Sequence, residues 1–211
     1  MPTQINYPRL LSDLRTLATY GQVGSGVNRL SFTLEDQAAR HWLLQRMIEA
    51  GLDAQIDGIG NVYGKTPGVA EAVLMGSHTD SVPKGGWLDG ALGVLYGLEI
   101  ARARLEAGAS NHLGVDVISF ADEEGTYRAL AGSLSFCGQL TEADIDAAAN
   151  QQGKKLRVAL SEAGYAGRPR VALDPNRYVA YLEGHIEQGP RLESEGKQIG
   201  VVTGIVGIRR F

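Results

Sequence analysis

The stretch Ala-Val-Leu-Met-Gly-Ser-His-Thr-Asp at residues 72–80 joins a short apolar run directly to a polar one. The apolar part, Ala72 to Met75, predicts a buried strand. In the polar part His78 and Asp80 lie two residues apart, which in extended backbone puts both side chains on one face. This stretch therefore predicts a strand that leads into an imidazole and a carboxylate.

The same arrangement recurs at two later points in the chain. Val115 to Phe120 is an apolar run of strand length that precedes Asp122-Glu123-Glu124-Gly125. The predicted strand Tyr178 to Leu182 precedes Glu183-Gly184-His185-Ile186-Glu187-Gln188-Gly189. Ligands bind at the carboxyl ends of the strands in open α/β sheets. We therefore expect the polar clusters to converge, together with Asp89 at the start of a predicted helix.

The other predicted elements alternate between helices and strands. Helices are predicted at Tyr7 to Tyr20, at Gly90 to Leu105 and at Lys154 to Ala163. Two more begin at capping sequences, one running from Thr33-Leu34-Glu35-Asp36 to Gly51 and one starting at Thr141-Glu142-Ala143-Asp144. Strands are predicted at Asp53 to Asp57 and Asn61 to Lys65. Gly21 to Ser31 is predicted to be a loop, and Gly200 to Ile208 to be β-rich. This alternation predicts an α/β protein with a layered, mainly parallel or mixed sheet.

Composition limits the classes of protein to which the chain of 211 residues can belong. A net charge of −4 gives no electrostatic footprint for nucleic acid or an anionic membrane. The single cysteine, Cys137, excludes an internal disulfide and a cysteine-based zinc cluster, and is predicted to be a small core residue. The N-terminal residues do not resemble a signal peptide, and no apolar run approaches the roughly 20 residues of a membrane span. We therefore expect a soluble, cytoplasmic protein.

Histidine and carboxylate without cysteine form a ligand set that suits Zn²⁺, Mn²⁺ or Co²⁺. Adjacent Glu123 and Glu124 can divide their roles, one binding metal and the other moving protons. Simpler interpretations stay open at this point. Asp89 can be a helix N-cap, the acidic cluster a solvated loop, and His185 a member of a surface ion pair.

Three segments together resemble a known family: GSHTDSVPKGGWLDGALGV at 76–94, FADEEG at 120–125 and GHIEQGPRLE at 184–193. They are similar to the M20-type metallohydrolases of the hydantoinase/carbamoylase branch. That branch includes N-carbamoyl-L-amino-acid hydrolases, allantoate amidohydrolases and β-ureidopropionases. The resemblance implies a three-layer, zinc-exopeptidase-like catalytic domain with a mixed sheet between helices. The histidine of the third segment separates this branch from M20 peptidases and N-acyl deacylases, which have a carboxylate there.

The resemblance also implies a two-metal site. His78 and His185 would bind the first metal, Asp89 would bridge both metals, and Glu124 would bind the second. The first site would then be complete in this chain, whereas the second would lack a histidine that the family supplies further along its sequence.

The implied reaction is hydrolysis of a carbamoyl or ureido C–N bond by a hydroxide held on the metal. Glu123 would be the general base, Asp80 would orient His78, and Gln188 would line the substrate pocket. The implied partners are a small carbamoyl or ureido substrate and, in the full-length family, a second copy of the protein, with no nucleic acid and no membrane.

The resemblance implies in addition that residues 1–211 are the N-terminal portion of a catalytic domain. Residues 200–211 would lead into a lid or dimerisation domain that this sequence does not contain. We expect the chain alone to be inactive. The alternatives are a non-catalytic remnant or metal-binding module, and an M20 peptidase or N-acyl deacylase.

Overall fold

The computed structural model describes residues 3–108 and 113–204. The helices are α1 Tyr7–Thr19, α2 Leu34–Glu49, α3 Ala91–Glu106, α4 Ala131–Phe136, α5 Glu142–Ala147, α6 Leu156–Glu162 and α7 Arg191–Ser194. The strands are β1 Gln22–Val23, β2 Gly26–Val27, β3 Asp53–Ile56, β4 Val62–Lys65, β5 Glu71–His78, β6 Leu113–Phe120 and β7 Tyr178–Leu182. Within these ranges no helix is both long enough and apolar enough to cross a membrane.

The main sheet is mixed and has the strand order β3-β4-β6-β5-β7. β5 runs parallel to β6 and to β7, whereas β4 runs antiparallel to β6 and β3. The carboxyl ends of β5, β6 and β7 therefore meet at one edge of the sheet, which confirms the predicted convergence of their polar clusters.

The register of the parallel strands aligns the residues that follow them. His78 pairs with Phe120 across β5 and β6, and Met75 pairs with Leu182 across β5 and β7. β5 then ends at His78, three residues after Met75, and His185 follows Leu182 by the same number of residues.

The sheet is flanked by helices, as an α/β layer structure requires. On one face α3 packs against β5 and β6, α1 packs on α3, and α2 packs against β3 and β4. The core there combines residues of the strands and of α3, for example Met75, Val117 and Leu95. On the other face a smaller apolar cluster joins Leu74 and Ile118 to Phe136 of α4.

A buried ionic group joins β7 to the sheet. Arg177 donates hydrogen bonds to both carboxylate oxygens of Asp116, at 2.7 and 2.9 Å, and the Asp116 side chain is fully buried. The hydroxyls of Tyr63 and Tyr178 lie 3.0 Å from the same carboxylate. The Thr66 amide donates to it as well, at 2.8 Å. Every donor that this buried charge needs is therefore in place.

Several predicted elements differ from the observed ones. The predicted loop Gly21 to Ser31 contains the hairpin β1–β2, in which Val27 also pairs with Gly85 of a distant loop. The strand predicted over Ala72 to Met75 continues to His78, since it has paired neighbours on both sides. The short helices α4 and α7 were not predicted from the sequence.

Two predictions about single segments are wrong within the described residues. Cys137 is exposed rather than in the core, because it follows the last residue of α4 and lies at the helix end. Residues 200–204 belong to no strand, although Gly200 to Ile208 was predicted to be β-rich. The remainder of that segment, residues 205–208, lies outside the described residues.

Candidate metal centre

Five side chains of the kinds that bind metals come together at the carboxyl edge of the sheet. They form two overlapping groups, within each of which the candidate ligand atoms lie within 4.8 Å of one another. One group is His78, Asp89 and His185, and the other is His78, Glu123 and Glu124. These are the predicted metal ligands together with the predicted base, and His78 is common to both groups.

His78 is the last residue of β5 and is only 4% exposed. Its Nδ1 lies 2.9 Å from the backbone carbonyl oxygen of Asp80 and 3.7 Å from the Asp80 carboxylate. The predicted orienting contact therefore runs mainly through the backbone of Asp80. Because the carbonyl accepts the Nδ1 proton, Nε2 is left as the nitrogen with a lone pair. It faces the Glu123 carboxylate at 3.5 Å.

The carboxylate of Asp80 has a different set of partners. It is buried and accepts hydrogen bonds from the backbone amides of Glu123, at 3.3 Å, and Glu124, at 3.2 Å. It also accepts a hydrogen bond from the hydroxyl of Ser31, at 3.1 Å. Asp80 thus holds the backbone of the acidic pair that follows β6.

Asp89 lies between β5 and α3 and meets the segment that follows β7. Its Oδ1 is 3.3 Å from Nε2 of His185, and its Oδ2 accepts a hydrogen bond from Gln188 at 2.9 Å. The N-cap of α3 is Gly90, and no side chain caps this helix. The interpretation of Asp89 as an N-cap is therefore wrong.

The donor atoms fit a divalent cation. Oδ1 of Asp89 is buried and has no hydrogen-bond partner among the described residues, which is costly for a carboxylate oxygen. Its neighbours in the group are imidazole nitrogens. Nitrogen and oxygen ligands without sulfur suit Zn²⁺, Mn²⁺ and Co²⁺ alike.

The carboxyl of Glu123 is in an environment that favours its protonated form. Burial raises its pKa, the carboxylates of Asp80, Glu183 and Asp89 add to that rise, and the interaction with His78 opposes it. The side chain is nevertheless 35% exposed, so it has access to solvent. A carboxyl with a raised pKa beside a histidine is suited to taking up and releasing a proton.

Gly90 allows the close approach of Asp89 to His78. Its φ is +64°, and a Cβ at this position would lie 2.5 Å from the His78 ring. We expect Gly90→Ala to push the imidazole aside and to weaken Zn²⁺ binding by roughly tenfold or more, as loss of an outer contact does at metal sites. Isothermal titration calorimetry measures this change.

Gly68→Ala is the matched control for this substitution. Gly68 also has a positive φ, of +73°, but a Cβ there would meet nothing within 4 Å. The two variants share the backbone strain, and only Gly90→Ala crowds His78. Equal Zn²⁺ affinities in the two variants would contradict the role given to Gly90.

No role for Glu183 was predicted from the sequence, yet its side chain connects the end of β5 with the end of β7. Its carboxylate accepts hydrogen bonds from Ser77, at 2.5 Å, and from Tyr181, at 3.0 Å. Ser77 directly precedes His78, and Glu183 lies two residues before His185. The alignment of β5 with β7 in the same register is the signal that relates these positions.

Comparisons with known proteins agree with this geometry. Residues 59–160 match the model of peptidase family M28. The chain is 40% identical to an N-carbamoyl-L-amino acid amidohydrolase from Geobacillus stearothermophilus, over 95% of this chain and 51% of that protein. It also superposes on the crystal structure of an amidase of the hydantoinase/carbamoylase family from Burkholderia phymatum, with a TM-score of 0.89 and 52% identity. The superposition covers 92% of this chain and 48% of the amidase.

The chain is similar to amidases of the hydantoinase/carbamoylase family. An allantoate amidohydrolase from Bacillus subtilis is a further relative, 33% identical over 92% of this chain and 49% of that protein. The chain thus spans about half the length of the amidases that it matches. The names of these relatives confirm the recognition of the hydantoinase/carbamoylase branch.

Proposed function

We propose that the chain carries the metal-binding portion of the catalytic domain of an amidohydrolase that cleaves a carbamoyl or ureido C–N bond. The observation that carries this proposal is the convergence of His78, Asp89, His185, Glu123 and Glu124 at one sheet edge. The same chain is similar to enzymes named as N-carbamoyl-amino-acid and allantoate amidohydrolases.

Four side chains would hold two divalent ions. His78 and His185 would hold the first ion, Asp89 would serve both ions, and Glu124 would hold the second. Oδ1 of Asp89 has no hydrogen-bond partner among the described residues and lies 3.3 Å from Nε2 of His185, which supports the first of these sites. When bound, the ions polarise the substrate carbonyl and make water more acidic.

Glu123 would move the protons of the reaction. Its carboxylate takes a proton from the attacking water and gives it to the nitrogen that leaves. The product carbamate then breaks down to carbon dioxide and ammonia. The raised pKa of Glu123 and its 35% exposure support this role, since a proton carrier needs access to solvent and a carboxyl that takes up a proton more readily than usual.

Gln188 would contact the substrate beside the metals. Its side-chain amide is exposed and reaches Asp89 at 2.9 Å. An amide has a donor and an acceptor, which matches the oxygen and the N–H groups of a ureido group.

A chimera tests the proposed reaction. Residues 1–211 replace the matching portion of the Burkholderia phymatum amidase, which supplies the remaining half. We expect metal-dependent release of ammonia from an N-carbamoyl-L-amino acid or from allantoate. Glu123→Gln should lower kcat by roughly 100- to 10,000-fold, the usual contribution of general acid–base catalysis, with metal content retained.

Glu71→Gln is the control, because Glu71 is an exposed carboxylate at the opposite end of β5. A folded, metal-loaded chimera that cleaves N-acetyl amino acids but no N-carbamoyl compound would instead support the deacylase alternative. Full activity in Glu123→Gln would contradict the role of Glu123. The homodimer, the lack of nucleic-acid and membrane partners and the cytoplasmic location stay predictions from the sequence.

A further inference from the structure

The segment before α2 is attached to the loop that follows β5. Two hydrogen bonds join the backbone of Arg29 to Ser81. The Arg29 amide donates to the Ser81 hydroxyl at 3.0 Å, and the Ser81 amide donates to the Arg29 carbonyl at 3.0 Å. The guanidinium of Arg29 donates to the carbonyl of Thr79 at 2.6 Å. Arg29, Thr79 and Ser81 are all buried. This segment therefore has a fixed position beside the metal ligand His78.

Ser31, in the same segment, reaches the carboxylate of Asp80. Its hydroxyl donates to Oδ2 at 3.1 Å, and both residues are 1% exposed. Among the described residues Ser31 is the one side chain that donates a hydrogen bond to this carboxylate. The remaining donors are the backbone amides of Glu123, to Oδ1, and Glu124, to Oδ2. One buried carboxylate thus connects Ser31 to the acidic pair.

A buried ion pair fixes the backbone next to Ser31. The amide of Phe32 donates to Asp36 at 2.8 Å, and Asp36 pairs with Arg40 at 2.8 Å. Both side chains of this pair are fully buried. Phe32 has a φ of +65°, which is unfavourable for a residue with a Cβ and persists only where the surroundings impose it. The structure therefore holds the Ser31–Phe32 turn in one strained conformation.

We propose that Ser31 is a positioning residue for the Glu123–Glu124 pair. Its hydroxyl keeps the Asp80 carboxylate where that group accepts both backbone amides, so that the two glutamate side chains face His78. This inference rests on the proposed function for what the two glutamates do, but the contact itself is independent of any metal.

Two readouts test the inference on the 211-residue chain. In the metal-free protein, amide hydrogen exchange followed by NMR reports the protection of the Glu123 and Glu124 amides. We expect Ser31→Ala to speed their exchange by about tenfold, while amides of β5 and α3 exchange as before. With Co²⁺ or Zn²⁺ added, affinity should fall by roughly tenfold and the cobalt absorption spectrum should change, as expected for loss of an outer hydrogen bond.

Ser31→Thr retains the hydroxyl and should restore both readouts. Ser135→Ala is the matched control, because Ser135 is also buried but its hydroxyl has no hydrogen-bond partner in the described part of the chain. It should change neither readout. Wild-type exchange at Glu123 and Glu124 in Ser31→Ala would overturn the inference. A wild-type chain that binds no metal, yet shows the expected exchange in Ser31→Ala, would overturn the proposed function and leave the role of Ser31 standing.

Discussion

Replacing His78 by alanine should abolish tight binding of divalent metal to this chain. His78 belongs to both groups of candidate ligands, so its loss removes a nitrogen from each. We expect the affinity for Zn²⁺ to fall by at least about 100-fold, beyond the 10- to 100-fold typical of changes outside the ligand shell. Competition with a chromogenic chelator measures it.

His41→Ala is the matched control for this prediction. His41 is an exposed histidine on α2, and its Nδ1 contacts the carbonyl of Gln37 within its own helix. It is therefore expected to leave the Zn²⁺ affinity unchanged. Equal losses in the two variants would show that the effect is not specific to His78, and His78→Ala with wild-type affinity would exclude His78 as a ligand.

Replacing Asp116 by alanine should destabilise the fold by about 3–5 kcal/mol, the usual cost of removing one partner of a buried ion pair. Arg177 would keep its charge among buried groups, and the hydroxyls of Tyr63 and Tyr178 would lose their common acceptor. Since Arg177 directly precedes β7, the strand that leads to His185 should loosen as well. Urea denaturation of the metal-free chain measures the free energy of unfolding.

Asp146→Ala provides the surface counterpart. Asp146 pairs with Arg157, and both side chains are about half exposed to solvent. Exposed pairs contribute about 0–1 kcal/mol, so little stability should be lost. If Asp116→Ala cost no more than Asp146→Ala, the buried group would not be what joins β7 to the sheet.

The convergence of the polar clusters could be predicted because it follows from strand direction alone. Apolar runs before His78, Glu123 and His185 indicated three strands, and parallel pairing of those strands was enough to bring the clusters together. The partners within the site could not be predicted in this way. The spacing of His78 and Asp80 places both side chains on one face. It does not show that the hydrogen bond from Nδ1 of His78 goes to the backbone carbonyl of Asp80 rather than to its carboxylate.

Secondary-structure elements that depend on contacts with distant residues could not be predicted from the sequence. The hairpin β1–β2 is too short for periodicity to show, and it is fixed where Val27 meets Gly85. α4 has only six residues, and its start is held by Gly132, where a Cβ would lie 2.3 Å from the Ala121 amide. The exposure of Cys137 follows from the end of that same unpredicted helix. The local sequence does not show which distant residues such an element will contact.

The role of Ser31 was out of reach for the same reason. It belongs to a segment predicted to be a loop and is separated from Asp80 by 49 residues. Only the folded chain shows that its hydroxyl and the amides of Glu123 and Glu124 share one carboxylate.

A crystal structure of the Zn²⁺-loaded chain, with anomalous diffraction recorded at the zinc edge, tests the metal centre most directly. We predict an anomalous peak at the carboxyl edge of the sheet, with Nε2 of His78, Nε2 of His185 and an oxygen of Asp89 at about 2.0–2.2 Å. The absence of a peak there in zinc-loaded crystals, or a peak bound only by other residues, would contradict the proposed metal centre.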